Sequence, residues 1–154
     1  MKKITYYIIV GFILFSCAKE KVIENNYKLN TPNYILSLSL KKNHQFLREY
    51  KRFLKIISPI NSEVISIELQ SDIGTGANSY LYEDAKSFIL VDCNGNWYSI
   101  NKKNGSIILI GNFWKKKIPY NYLGTFLLEK NDHKIKFKKQ KNIALEDIYV
   151  YGGG

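Results

Sequence analysis

The chain has 154 residues, a length that builds one compact domain and excludes two of ordinary size. Apolar residues at 45% and aromatics at 14% exclude a largely disordered chain. The formal charge of +10 points toward anionic partners, yet arginine occurs only at Arg48 and Arg52 in a chain otherwise rich in residues with A/T-rich codons. Proteins that grip phosphate favour the planar arginine fork, so the charge reads first as composition and solubility, and nucleic acid ranks low as a partner.

In chain order, Lys2 and Lys3 form a positive start, and Ile4 to Phe15 supplies twelve mostly apolar residues. A membrane-spanning helix needs about twenty, so this length suits the core of a signal peptide. The residues Leu14-Phe15-Ser16-Cys17 resemble the lipobox of bacterial lipoprotein precursors, with leucine three places before the cysteine and a small residue just before it. Phe15 departs from the usual small or β-branched residue at its place. The resemblance implies a diacylglycerol thioether on Cys17, cleavage before it, and acylation of the new amino terminus. Several chains on one residue anchor stably, because each buried CH₂ contributes about 0.8 kcal/mol. Residues 1–16 are then a removed signal peptide, 17–31 a lipidated flexible tether, and 32–154 a single globular domain. Ala18 stands where similar lipoproteins held in the inner membrane often carry aspartate, which favours the outer membrane of the bacterial cell envelope.

Beyond the tether, Thr31-Pro32 has the form of a helix start. The stretch that follows, NYILSLSL, suits either that helix or an alternating strand. From Asn43 to Ile57 the spacing of Phe46, Leu47, Tyr50, Phe53, Leu54 and Ile57 predicts an amphipathic helix. Arg48, Lys51, Arg52 and Lys55 fall on its opposite, basic face, and Pro59 ends it.

The period then changes to two. Glu63 to Gln70 predicts a strand with Ile65, Ile67 and Leu69 on one side. Tyr80 to Tyr82, Ser87 to Cys93, Trp97 to Ile100 and Ser106 to Ile110 follow as short strands, with turns at Asn94-Gly95-Asn96 and Asn101 to Gly105. Leu123 to Glu129 and Lys134 to Lys139 predict another hairpin, and Ile148 to Tyr151 a closing strand. The expected fold is therefore α+β: one or two N-terminal helices covering an antiparallel meander of about six to eight strands.

One further resemblance is local. Asp92 to Ile107, running through Asn94-Gly95, an aromatic strand and an Asn101-to-Gly105 turn, is similar to one hairpin of a quinoprotein-type β-propeller repeat. It occurs once and lacks the family's tryptophan after the second turn, so it implies shared hairpin chemistry and no quinone.

Candidate chemistry is sparse. Cys93 pairs in sequence terms only with His44 or His133, and its place at the end of an apolar run suits a buried side chain. After cleavage it is the only thiol of the mature chain. The calcium-loop likeness of Asp92 to Asn96 fails, because Lys103 stands where the twelfth-position glutamate belongs. The residues define no metal site and require no cofactor. Glu83-Asp84 and Glu146-Asp147 are the acidic pairs that an envelope hydrolase or carbohydrate-processing enzyme would use.

Lysines alternating with Ile135 and Phe137 suit a strand that guards a sheet edge. Arg48, Lys51, Arg52, Lys55, Trp114, Lys115, Lys116 and Lys117 combine basic and aromatic character and form the expected partner surface. The expected protein is a membrane-anchored, non-enzymatic binding module, of immunity type in its most specific form. Its partners would be the membrane, through the lipid on Cys17, and an acidic protein, glycan or lipid headgroup. A structural component of an envelope complex is the remaining alternative.

Overall fold

A computed structural model describes residues 22–28, 31, 34–42, 47, 49–72, 78–112, 121–128 and 134–139. They form ten strands: β1 (Val22–Lys28), β2 (Ile35–Lys42), β3 (Tyr50–Ile57), β4 (Val64–Asp72), β5 (Ser79–Glu83), β6 (Ser87–Val91), β7 (Asn96–Asn101), β8 (Ile107–Asn112), β9 (Asn121–Leu128) and β10 (Ile135–Lys138). Every pairing is antiparallel. One sheet has the order β1-β2-β3-β4, the other β10-β9-β5-β6-β7-β8.

The expected α+β class is therefore wrong: among the described residues there is no helix, and the fold is two antiparallel sheets. The helix expected over 43–57 is replaced by β3, whose burial alternates strictly along Tyr50–Ile57. The same eight residues satisfy both periods, since Tyr50, Phe53, Leu54 and Ile57 are spaced for a helix and Tyr50, Leu54 and Ile56 for a strand. Arg52 hid the period of two, because a charged residue occupies an inward position. Hairpin partners on both sides decide the matter. β2 and β4 supply backbone hydrogen bonds along the whole of β3, from Ile57 paired with Ile35 to Tyr50 paired with Asp72.

The ambiguous stretch after Thr31 resolves as β2. Leu36, Leu38 and Leu40 face the core, while Ser37 and Ser39 face the other side and are buried as well. Small serines on this strand let Glu24 of β1 and Lys55 of β3 meet above it, with Ser37 Oγ donating to Glu24 Oε1 at 2.7 Å. Val22–Lys28, expected within the tether, pairs with β2 over its full length.

The expected strands of the second half match β4 through β10 closely. Leu128 pairs with Ile135 and Thr125 with Lys138, which makes the expected hairpin. The closing strand expected at Ile148 to Tyr151 lies outside the described residues.

The core lies between the sheets. Leu36, Leu38, Leu40, Leu54, Ile56 and Leu69 from one sheet pack with Leu81, Phe88, Leu90, Ile100 and Phe126 from the other. Each such side chain contributes about 1.5–3 kcal/mol by leaving water. A second cluster of Tyr80, Tyr82, Ile89, Val91 and Trp97 occupies the other face of the six-stranded sheet. Tyr82 and Tyr122 stack there at a tilt, and burial followed by the two neighbouring tyrosines pushes the Tyr82 hydroxyl above its ordinary range. At Gly124 the backbone of β10 comes so near that an added Cβ would lie 2.5 Å from the Lys138 carbonyl.

Candidate functional site

The basic helix face expected to bind a partner does not form. On a strand, Lys51 and Lys55 point outward and Arg52 points inward. Lys51 is exposed, Lys55 forms an ion pair with Glu24 at 3.5 Å, and Arg52 is completely buried. Arg48, Trp114, Lys115, Lys116, Lys117 and Cys17 lie outside the described residues.

Arg52 instead organises a polar cluster between the sheets. Its Nη1 donates to Cys93 Sγ at 2.8 Å and its Nη2 to Ser79 Oγ at 2.7 Å, while its Nε–H makes no hydrogen bond. Ser79 begins β5, and Cys93 sits in the turn between β6 and β7. One side chain of the four-stranded sheet thus ties two elements of the other. A guanidinium can do this because its donors diverge in a rigid plane, which a lysine ammonium cannot match.

Asp92 lies near enough to this cluster for the Arg52 charge to act on its carboxyl, without a direct contact between the two. Its Oδ1 accepts the backbone N–H of Asn94 and of Asn96, both at 2.9 Å, and shapes the turn in which Gly95 takes φ 77°. Burial pushes the Asp92 carboxyl above its ordinary value, against the opposing pull of Arg52 and of these N–H groups. Asn96 Nδ2 also donates to Gln70 Oε1 at 3.0 Å, which pins the start of β7 to β4.

This cluster escaped the sequence reading, which placed Arg52 on a wet face and offered Cys93 only the histidines His44 and His133, both outside the described residues. One clue was present. In a chain that uses lysine for its surface, a rare arginine marks a place where five fixed donors are needed.

The expected acidic pair Glu83-Asp84 lines a shallow depression of about 340 Å³ with Ala85, Lys102 and Asn121. Glu83 is held from both sides: Lys102 Nζ approaches Oε1 at 2.8 Å, and Asn121 Nδ2 donates to Oε2 at 3.0 Å. Lys102 also donates to the Asp84 carbonyl at 2.7 Å and stands 4.9 Å from the centre of the Phe88 ring. The ion pair and the amide contact tie β5, β9 and the turn after β7 together at this end of the sheet, and the Glu83 side chain stays partly exposed. Glu146 and Asp147 lie outside the described residues. Among the described residues, no three of His, Cys, Asp and Glu gather as metal ligands.

Among the described residues the large exposed apolar side chains are Leu47, Ile60, Val64, Ile108 and Leu109, of which the last two are adjacent on one strand. Ile108 and Leu109 of β8 are each 60% exposed, neighbours in a strand that carries no charged residue. Comparison of the chain with protein-family models, with curated proteins and with solved structures gives no match.

Proposed function

We propose that the chain is a lipid-anchored envelope protein whose domain binds an acidic protein partner without performing chemistry. The observation that carries the binding part is the exposed apolar pair Ile108 and Leu109 on a chain of net charge +10. Apolar contact supplies affinity at the centre of an interface, and surrounding charge supplies attraction and selectivity. The buried Arg52 cluster fits this reading as the fastening of a rigid scaffold. The anchor rests on the lipobox resemblance at Cys17.

Two measurements test the reading. A saturable partner recovered from envelope extracts, and weakened as salt rises, is the expected result; no saturable partner at low or physiological salt overturns it. Cys17→Ser should release the chain from the membrane fraction. If the variant stays with the membrane, uncleaved, the lipid anchor is wrong.

A further inference from the structure

We infer, resting on the anchor at Cys17 proposed above, that one end of the domain, where β1 starts, is a docking surface for a lipid bilayer. The β3–β4 turn then points away from the membrane.

Strand register fixes the two ends of the smaller sheet. Val22 pairs with Lys41, Lys42 with Tyr50, and Tyr50 with Asp72, so these residues share one end. Lys28, Ile35, Ile57 and Val64 share the other, and the β3–β4 turn beyond them carries Ile60, which is 78% exposed.

The length of chain before β1 selects the end that meets lipid. Cys17 stands only five residues before Val22, the first residue of β1. Fully extended, that stretch spans about 17 Å. β3 alone rises roughly 23 Å from Tyr50 to Ile57. A lipid on Cys17 therefore holds the Val22 end close to the headgroups and lets the Ile60 end stand clear of them.

The near end also has the composition of an interfacial contact. Leu47, in the connection from β2 to β3, is 51% exposed. Lys42 and Lys51, one on either side of that connection, are exposed as well. The carboxylates at this end are Glu49, which is half-buried, and Asp72. An apolar side chain with ammonium groups on both sides suits the boundary between acyl chains and anionic headgroups. The outer side of the smaller sheet suits it less, because exposed Glu68 and Ser66 of β4 lie there.

The test uses the full lipidated chain carrying Cys93→Ser, in vesicles of phosphatidylcholine and phosphatidylglycerol with a nitroxide on some headgroups. A fluorophore is placed at the near end, through Leu47→Cys or Lys51→Cys, or at the far end, through Ile60→Cys or Val64→Cys. Two positions at each end keep the answer independent of any one label. Nitroxide quenching at least about threefold greater at both near positions than at both far ones is the expected result. Adding Leu47→Glu to the chain labelled at position 51 should lower that quenching at least about twofold, while the label at position 64 serves as control.

Equal quenching at the two ends, or stronger quenching at the far one, in a chain that floats with the vesicles overturns the orientation and leaves the anchor standing. Indifference to Leu47→Glu overturns the docking surface, because the tether alone would then account for the proximity. A chain that does not float overturns the anchor and the docking surface together.

Discussion

Arg52 of β3 donates to the sulfur of Cys93 in the β6–β7 turn, 2.8 Å away across the interior between the two sheets. Both residues are buried, and the contact joins chain positions 41 apart. Leucines and phenylalanines hold the sheets together with little directional preference. The guanidinium, reaching Ser79 and Cys93 at once, sets how one sheet sits on the other.

Arg52→Ala should destabilise the fold by at least about 1–3 kcal/mol, because Cys93 and Ser79 lose their buried donor. Arg52→Met fills similar volume and isolates the electrostatic part. In urea unfolding, Arg52→Met combined with Asp92→Asn should cost less than the sum of the two single changes. Simple additivity would show that Arg52 and Asp92 do not act as a pair.

Asp92 makes the stability pH-dependent with a defined sign. Its folded-state carboxyl lies above the ordinary value, chiefly because of burial, so the folded chain holds the proton more tightly than the unfolded chain. Stability from this group is therefore present at low pH and lost as pH rises from the ordinary carboxylate value through the raised one. Arg52, Asn94 and Asn96 oppose the shift and limit the window. Asp92→Asn keeps an oxygen for the two N–H groups. Unfolding free energies across mildly acidic pH should fall more with rising pH in wild type than in this variant; parallel curves would remove Asp92 as the cause.

Cys93 is a thiol rather than half of a disulfide, and only 7% of it is exposed. Labelling by a thiol reagent in native buffer should be slow and should accelerate with urea along the unfolding transition. Cys93→Ser retains an acceptor for Arg52 and should cost less than Cys93→Ala, which leaves Nη1 buried without one at about 1–3 kcal/mol. Fast native labelling would mean that the turn opens independently of the core.

Gly124 takes φ 155°, and an added Cβ would lie 2.6 Å from the Phe137 ring as well as against the Lys138 carbonyl. Gly124→Ala should push β10 away from β9, disturb the edge contact between Phe126 and Phe137, and cost about 1–3 kcal/mol. Amide exchange in β10 should rise more than in β2. Unchanged protection of β10 would show that the strand tolerates the methyl.

Alternation placed β4 and β10 in the sequence, because a strand with one face toward a core writes its period directly, whereas β5 and β6, buried on both faces, were legible as short apolar runs between turns. Turn chemistry did the same at Gly95 and Gly105, where positive φ requires glycine or its few substitutes. The lysine guard on β10 was also legible, since an edge can be inferred from alternating lysines. The first half resisted because β3 carries a charge where its period demands an apolar residue, and β1 is too polar to announce itself as a strand.

What the sequence determined alone was the set of local preferences: strands where apolar residues alternate, turns where glycine and asparagine cluster, and a basic composition. Only tertiary structure decided that Tyr50–Ile57 is a strand, since the choice depended on β2 and β4 arriving on either side of it. Only tertiary structure also turned Arg52 inward, found it acceptors 27 and 41 residues away, and left Ile108 and Leu109 of β8 exposed. These are long-range outcomes, in which backbone pairing and partner geometry outweigh the preference of any single residue for water.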